Sequence, residues 1–296
     1  MFRARWMAAI LLLGPGQALA ESYGSPLENR IWDMTAGVEI DRSALVARIV
    51  GSDVVLLGEV HDNPDAHLAQ GALVRLLEPR ALAVEMIPTS AEDELNAYLT
   101  DDGDPSGIGP EVDWNDSGWP DWKIYEPVFR DWSPGTVRGA GLPRESVRRA
   151  MTDGAAAIPL EPPMDVLLKT PLAPDVQSGV ESDMVDAHCG HLPKEMAPGM
   201  VEAQRLRDAS LASAVLRAGT GDGLVAVIAG NGHVRKDRGA GTYLPDTLKI
   251  VSVGILEADI GIAPEDIPTA DLPYDFVWFV PPADREDPCA VFLKKD

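Results

Sequence analysis

Between residues 54 and 280 the chain alternates short, almost unbroken apolar runs with longer stretches in which apolar residues recur every three or four positions. The runs are 54–57, 81–84, 224–229, 250–256 and 276–280. Their lengths suit strands, and continuous hydrophobicity suits a sheet covered on both faces. The stretch 65–77 sets His67, Gln70, Val74 and Leu77 on one helical face, entered through Asn63 and Pro64. Residues 90–99 open with Ser90 and carry Asp93 three positions on, a start resembling a capping box. Residues 200–218 read as a long helix stopped by Gly219. Strand, helix and strand in that order over 54–84 imply a right-handed crossover and parallel pairing. The expected fold is α/β: a central, mostly parallel sheet flanked by helices.

Residues from about 100 to 182 break the pattern. They are rich in Gly, Pro and Asp, with short helices expected at 126–131 and 143–151. They read as a Gly/Pro/Trp-rich insertion or lid, since long structureless segments are uncommon inside a domain. Trp114, Trp119, Trp122, Tyr125, Phe129 and Trp132 fall here. Large aromatics bury area, so a satellite core is the expectation, with a wall for a flat ligand as the other role.

The first residues carry Arg3, Arg5, an apolar run over 7–13 and the small-residue site Ala18-Leu19-Ala20. That is a signal-peptide pattern, with an apolar run too short to span a bilayer. The expected organisation is a signal peptide over 1–20 and a single domain over 21–296, soluble in the periplasm or secreted. A net charge of −22 argues against nucleic acid as a partner. Cys189 and Cys289 are the two cysteines. In an oxidising compartment they can pair, although spacing alone does not show that they meet.

Chemistry concentrates at strand ends. Gly58-Glu59-Val60-His61 and Gly230-Asn231-Gly232-His233 each follow an apolar run directly, and Glu85 follows a third. In a parallel sheet those ends share one edge, where ligands bind. Glu59, His61, Glu85 and His233 would then form a ligand set for a divalent metal, or an acid–base set with Glu59 and Glu85 as catalytic candidates. Asn231 joins them as a ligand-binding candidate. On the long helix Gln204 and Asp208 share a face. Turned inward, Asp208 would fix a histidine tautomer; periodicity alone favours the surface. Arg235-Lys236-Asp237-Arg238 is the densest basic cluster near the site, pointing to a small anionic ligand. His188 and His191 flank Cys189-Gly190 in what reads as a loop.

The run Gly58-Glu59-Val60-His61-Asp62-Asn63-Pro64, with His67 and Gln70 after it, resembles the opening motif of the ChaN-like haem-binding uptake proteins. Their superfamily also holds the Tiki, TraB/PrgY and erythromycin-esterase proteins. The resemblance continues at 83–86, at Gly141-Leu142-Pro143-Arg144 (where the family's Asn is missing), and at 188–193, 203–208 and 230–235. It spans about 52–244. It implies a haem-binding protein of bacterial iron or haem uptake, with haem as cofactor. It also implies a homodimer sharing haem, and outer- or inner-membrane uptake components as partners. The family is often lipid-anchored; no lipobox Cys is present here, so a soluble form is expected. The resemblance makes His61, His67, His233 and Tyr243 candidates for the iron ligand, both residue types being normal in that role. Superfamily members that look like metal-dependent peptidases or esterases share Glu59, His61, Glu85 and His233. The expectation is therefore a binding protein, with a metal-dependent hydrolase as the alternative.

Overall fold

The computed structural model describes residues 25–290 apart from 102, 133, 134, 220, 222, 259–261, 268, 270, 271 and 288. The leader expected over 1–20 lies outside the described residues. Among those residues the strands are β1 (Ile31–Asp33), β2 (Val38–Ile40), β3 (Val54–Leu57), β4 (Ala81–Pro88), β5 (Thr136–Gly141), β6 (Val225–Ile228), β7 (Ile250–Glu257) and β8 (Phe276–Val280). They form one eight-stranded sheet in the order β2-β1-β8-β7-β3-β6-β4-β5. Pairing is parallel from β8 to β5 and antiparallel where β1 meets β2 and β8.

The helices are α1 (Arg42–Ile49), α2 (Pro64–Leu77), α3 (Glu92–Thr100), the one-turn α4 (Ile108–Glu111) and α5 (Trp114–Ser117), α6 (Trp122–Arg130), α7 (Arg144–Asp153), the one-turn α8 (Met164–Leu167), α9 (Pro174–Ala187) and α10 (Ala197–Ala218). They cover both faces, which is why β3, β6 and β8 contain no exposed residue. Successive side chains of a strand point to opposite faces. Val55, Leu57, Leu82, Val84, Ala226 and Ile228 accordingly pack toward α1, α2 and α6. Val54, Leu56, Ala83, Val225 and Val227 pack with Leu206, Leu211 and Val215 of α10. Full burial of a side chain of Val or Leu size contributes about 1.5–3 kcal/mol.

The segment at about 100–182 supplies more than a cover. β5 lies beside β4 at the sheet edge, α6 packs on α2, and α7 packs on α10. Its aromatics divide: Trp114, Trp122, Tyr125, Phe129 and Trp132 are buried in the core on the α2 face, whereas Trp119 is half-buried. Ser90 does not cap a helix; a 3-10 turn over Thr89–Ala91 leads into α3, whose N-cap Ala91 makes no side-chain bond.

Two ties hold the last described residues. Cys189 and Cys289 form a disulfide, with Cα atoms 5.7 Å apart. Asn63 caps α2 by accepting from the amides of Asp65 and Ala66 at 2.8 and 3.3 Å. Its amide nitrogen donates to Glu257 Oε1 at 2.7 Å and to the Pro281 carbonyl at 2.9 Å. An Asp could serve as the cap but could not make these two donations. Arg285 closes the tie by pairing with Asp62 at 2.8 Å and with Glu257.

Candidate functional site

The register of the sheet assembles the site. Leu57 of β3 pairs with Ile228 of β6, and Ile228 pairs with Val84 of β4. Gly58-Glu59 and Ala229-Gly230, which follow β3 and β6, therefore lie beside Glu85 of β4. The β4–β5 register shifts between Val84 and Pro88, and Glu85 sits at that irregularity, where a bulge can re-aim a side chain. Two glycines permit the crowding. A Cβ on Gly58 would lie 2.2 Å from Asn231 Oδ1, and one on Gly230 would lie 2.9 Å from His61 Nε2. Asn231 extends the sheet by side chain: its amide nitrogen donates to the Ile255 carbonyl at 2.7 Å, and its oxygen accepts from the Ile255 amide at 3.0 Å.

Two carboxylate–imidazole pairs meet here. His61 Nδ1 donates to Glu59 Oε1 at 2.6 Å, which turns its Nε2 toward Glu85, 4.0 Å from Oε2. His233 Nδ1 donates to Asp208 Oδ1 at 2.6 Å, and its Nε2 lies 3.3 Å from Glu85 Oε1. The other oxygen of Glu85 accepts from the Gly230 amide at 2.9 Å. Asp208 is thus turned inward, not to the surface as periodicity favoured. Gln204, on the same face of α10, places its amide nitrogen 3.0 and 3.1 Å from the two His233 ring nitrogens. The inward face was missed because the sheet end it packs on is polar.

His67 stands behind this pair. Its Nε2 faces the His61 carbonyl at 3.1 Å, while its Nδ1 faces Glu59 Oε2 at 2.7 Å and Gln70 Oε1 at 3.2 Å. The Gln70 amide nitrogen is used on the carbonyls of Leu57 and Gly58. Both His67 nitrogens therefore face oxygen atoms. Glu59 is hydrogen-bonded to His61 through Oε1, while its Oε2 lies close to His67 without a hydrogen bond, and His67 is fully buried beneath Tyr125, whose ring centroid is 4.0 Å away. Tyr125 Oη donates to the His61 carbonyl at 3.0 Å.

Burial alone would lower the pKa of His233; the carboxylates of Glu85 and Asp208 outweigh it and raise it to about 10. Burial likewise pushes Asp208 up, against the pull of His233, to about 6. For Glu85 the His233 charge and hydrogen bond overcome desolvation and hold the carboxyl well below its usual range. His61 is raised: desolvation opposes it, and the Glu59 hydrogen bond with the Glu85 and Glu59 charges prevails. Tyr125 is raised by burial and by the Glu59 and Glu85 charges, so its hydroxyl stays a donor.

Glu85 forms part of the wall of a cleft of about 1280 Å³ that runs between Trp119, the end of β5, α7 and α10. His61 is not among the lining residues but stands behind Trp119, with its ring 4.7 Å from that indole and its side chain 34% exposed, against 6% for His233.

The other expected ligand residues lie elsewhere. Arg235 pairs with Asp237 at 2.6 Å, and Lys236 and Arg238 pair with Asp275 and Asp183, so that basic cluster is internally neutralised. Tyr243 ends a 3-10 turn, buried against Arg205. His188 caps α9, and Cys189 and Gly190 follow in left-handed conformations. Among the described residues no group of three His, Cys, Asp or Glu side chains has the spacing of a metal site.

Comparison with known proteins places this geometry. A family model described as "Haem-binding uptake, Tiki superfamily, ChaN" matches residues 45–244. Among solved structures, the chain resembles one entitled "Cofacial heme binding to ChaN of Campylobacter jejuni". The two share 22% identity and a TM-score of 0.61 over 84% of this chain and 95% of that one. The type III effector HopBA1 is more remote, at 14% identity and a TM-score of 0.43 over 81% of this chain and 92% of that one. No curated protein sequence matches.

Proposed function

The chain belongs to the ChaN haem-binding uptake family of the Tiki superfamily, and on that premise we propose that it binds haem in the cleft between Glu85, Trp119, α7 and α10, with His61 presented to the iron. One observation carries this reading. His61 has Nδ1 held by Glu59, and its half-buried ring packs on Trp119, which with Glu85 lines a cleft of about 1280 Å³.

The residues fit the group. An imidazole donating through Nδ1 to a carboxylate keeps Nε2 as its basic nitrogen and gains donor strength. Glu59 is fully buried with His67 packed beside it, so the ring is aimed before any ligand arrives. Trp119 offers a flat apolar face, and Met86, Leu142 and Leu160 continue the apolar wall. Haem, when bound, would supply an iron centre that His61 would hold. His233 stays behind Glu85 and sets that carboxylate's charge.

The same reading places the protein in iron or haem handling outside the cytoplasm, after export by the leader at 1–20. The Cys189–Cys289 disulfide supports an oxidising compartment.

Titration of purified protein with hemin tests the binding. A saturable Soret shift that weakens at least tenfold in His61→Ala, and less in His233→Ala, is expected. Absence of any saturable shift in the unsubstituted protein would remove the proposal.

A further inference from the structure

The cleft carries positive charge that no carboxylate among the described residues answers. Arg144 and Arg148 of α7 and Arg207 of α10 line it, and among the described residues none of the three has a carboxylate partner. Arg144 donates to the neutral Ser117 carbonyl at 2.6 Å, and Arg148 Nε approaches the Arg144 carbonyl at 3.4 Å. Every other described arginine is met by a carboxylate, by helix-end carbonyls in the case of Arg80, or by the Trp278 face in the case of Arg42.

In a chain of net charge −22 carboxylates are abundant. Three unanswered guanidinium groups around one cavity are therefore a feature of that cavity. Arg144 and Arg148 sit one turn apart, a spacing at which like charges repel. Asp116 and Glu161 also border the cleft, both exposed, and neither forms an ion pair with the three.

The arginines are linked to His61 through one turn. The Ser117 carbonyl that holds Arg144 belongs to the turn carrying Trp119, whose amide is tied to Ser117 Oγ at 3.1 Å and whose ring meets His61. Met86, Leu142, Val147 and Leu160 provide apolar lining around the same space. A ligand suited to this lining is a flat apolar body with carboxylates at one end.

The geometry points to Arg144, Arg148 and Arg207 as the subsite that takes the two propionates of haem, an assignment that rests on the haem reading above. Guanidinium groups bind carboxylates through paired N–H donors, and in a partly closed cleft those bonds are charge-assisted. The subsite would select the free dicarboxylic porphyrin over its uncharged esters.

Hemin and hemin dimethyl ester, each titrated in the same mild detergent, test this without any substitution. The unsubstituted protein is expected to bind hemin about tenfold or more tightly than the ester. Arg144→Gln/Arg148→Gln/Arg207→Gln is expected to lose that preference while still binding the ester as before. Circular dichroism of the variant confirms its fold. Equal binding of both ligands by the unsubstituted protein overturns the inference and leaves haem binding standing. Retention of the preference by a folded variant also overturns it. Binding of neither ligand removes the haem reading and this one together.

Discussion

Asp208 Oδ1 lies 2.6 Å from His233 Nδ1, a contact made across the sheet end by residues 25 positions apart. Both side chains are buried, with 4% and 6% exposed. The far side of the ring faces Glu85, so one imidazolium is shared by two buried carboxylates. Removing one member of such a set strands the charge of the others.

Asp208→Asn should therefore destabilise the protein by about 3–5 kcal/mol. Urea denaturation measures it. A loss within 0.5 kcal/mol, the range of an ordinary surface substitution, would show that the pair carries no buried charge.

The raised pKa of His233 has a definite sign. Its bound proton stabilises the fold fully below the ordinary histidine value of 6.5, and that contribution disappears as pH rises through about 10. The ligand-free protein should lose thermal stability steadily between those two values. His233→Gln should flatten the slope in that window, and an unchanged slope would contradict the assignment.

Trp119 and Trp122, three positions apart, should behave in opposite ways. Trp122 is buried against Trp114, Tyr125 and Phe129, and Trp122→Ala should cost about 3–5 kcal/mol. Trp119 is half-buried beside His61. Trp119→Ala should change stability by no more than about 1 kcal/mol while weakening hemin binding several-fold. Denaturation and hemin titration on the same two variants separate the roles.

The disulfide closes a loop with a sequence separation of 100 residues. Cys289→Ser should lower stability by about 2–4 kcal/mol. Comparing it with the unsubstituted protein, oxidised and reduced, checks the figure. The reduced protein should match the variant.

Much of the framework was legible from hydrophobic pattern. The runs at 54–57 and 276–280 are β3 and β8 residue for residue, because strands buried on both faces leave no polar interruption. β1 and β2 were illegible because three residues make no pattern. β5 was missed because its sequence TVRGAG carries two glycines and an arginine where a buried strand is expected to be apolar. The meeting of Glu59, His61, Glu85 and His233 was readable, since parallel strands share an end. The inward face of Asp208 was not, because a polar residue buried for a polar partner looks like surface. Arg148 and Arg207 were not singled out for the same reason: cations on amphipathic helices resemble a solvated side until the cavity beneath them is seen.

The tie between Asn63 and the chain's last stretch has a consequence for assembly. Asn63 and Asp62 bond partners 194 to 223 positions later, so the first histidine loop borrows its final shape from residues far along the chain. Contacts of such span form late. A polypeptide shortened before Glu257 would hold the early motif in full and lack the partners of Asp62 and Asn63.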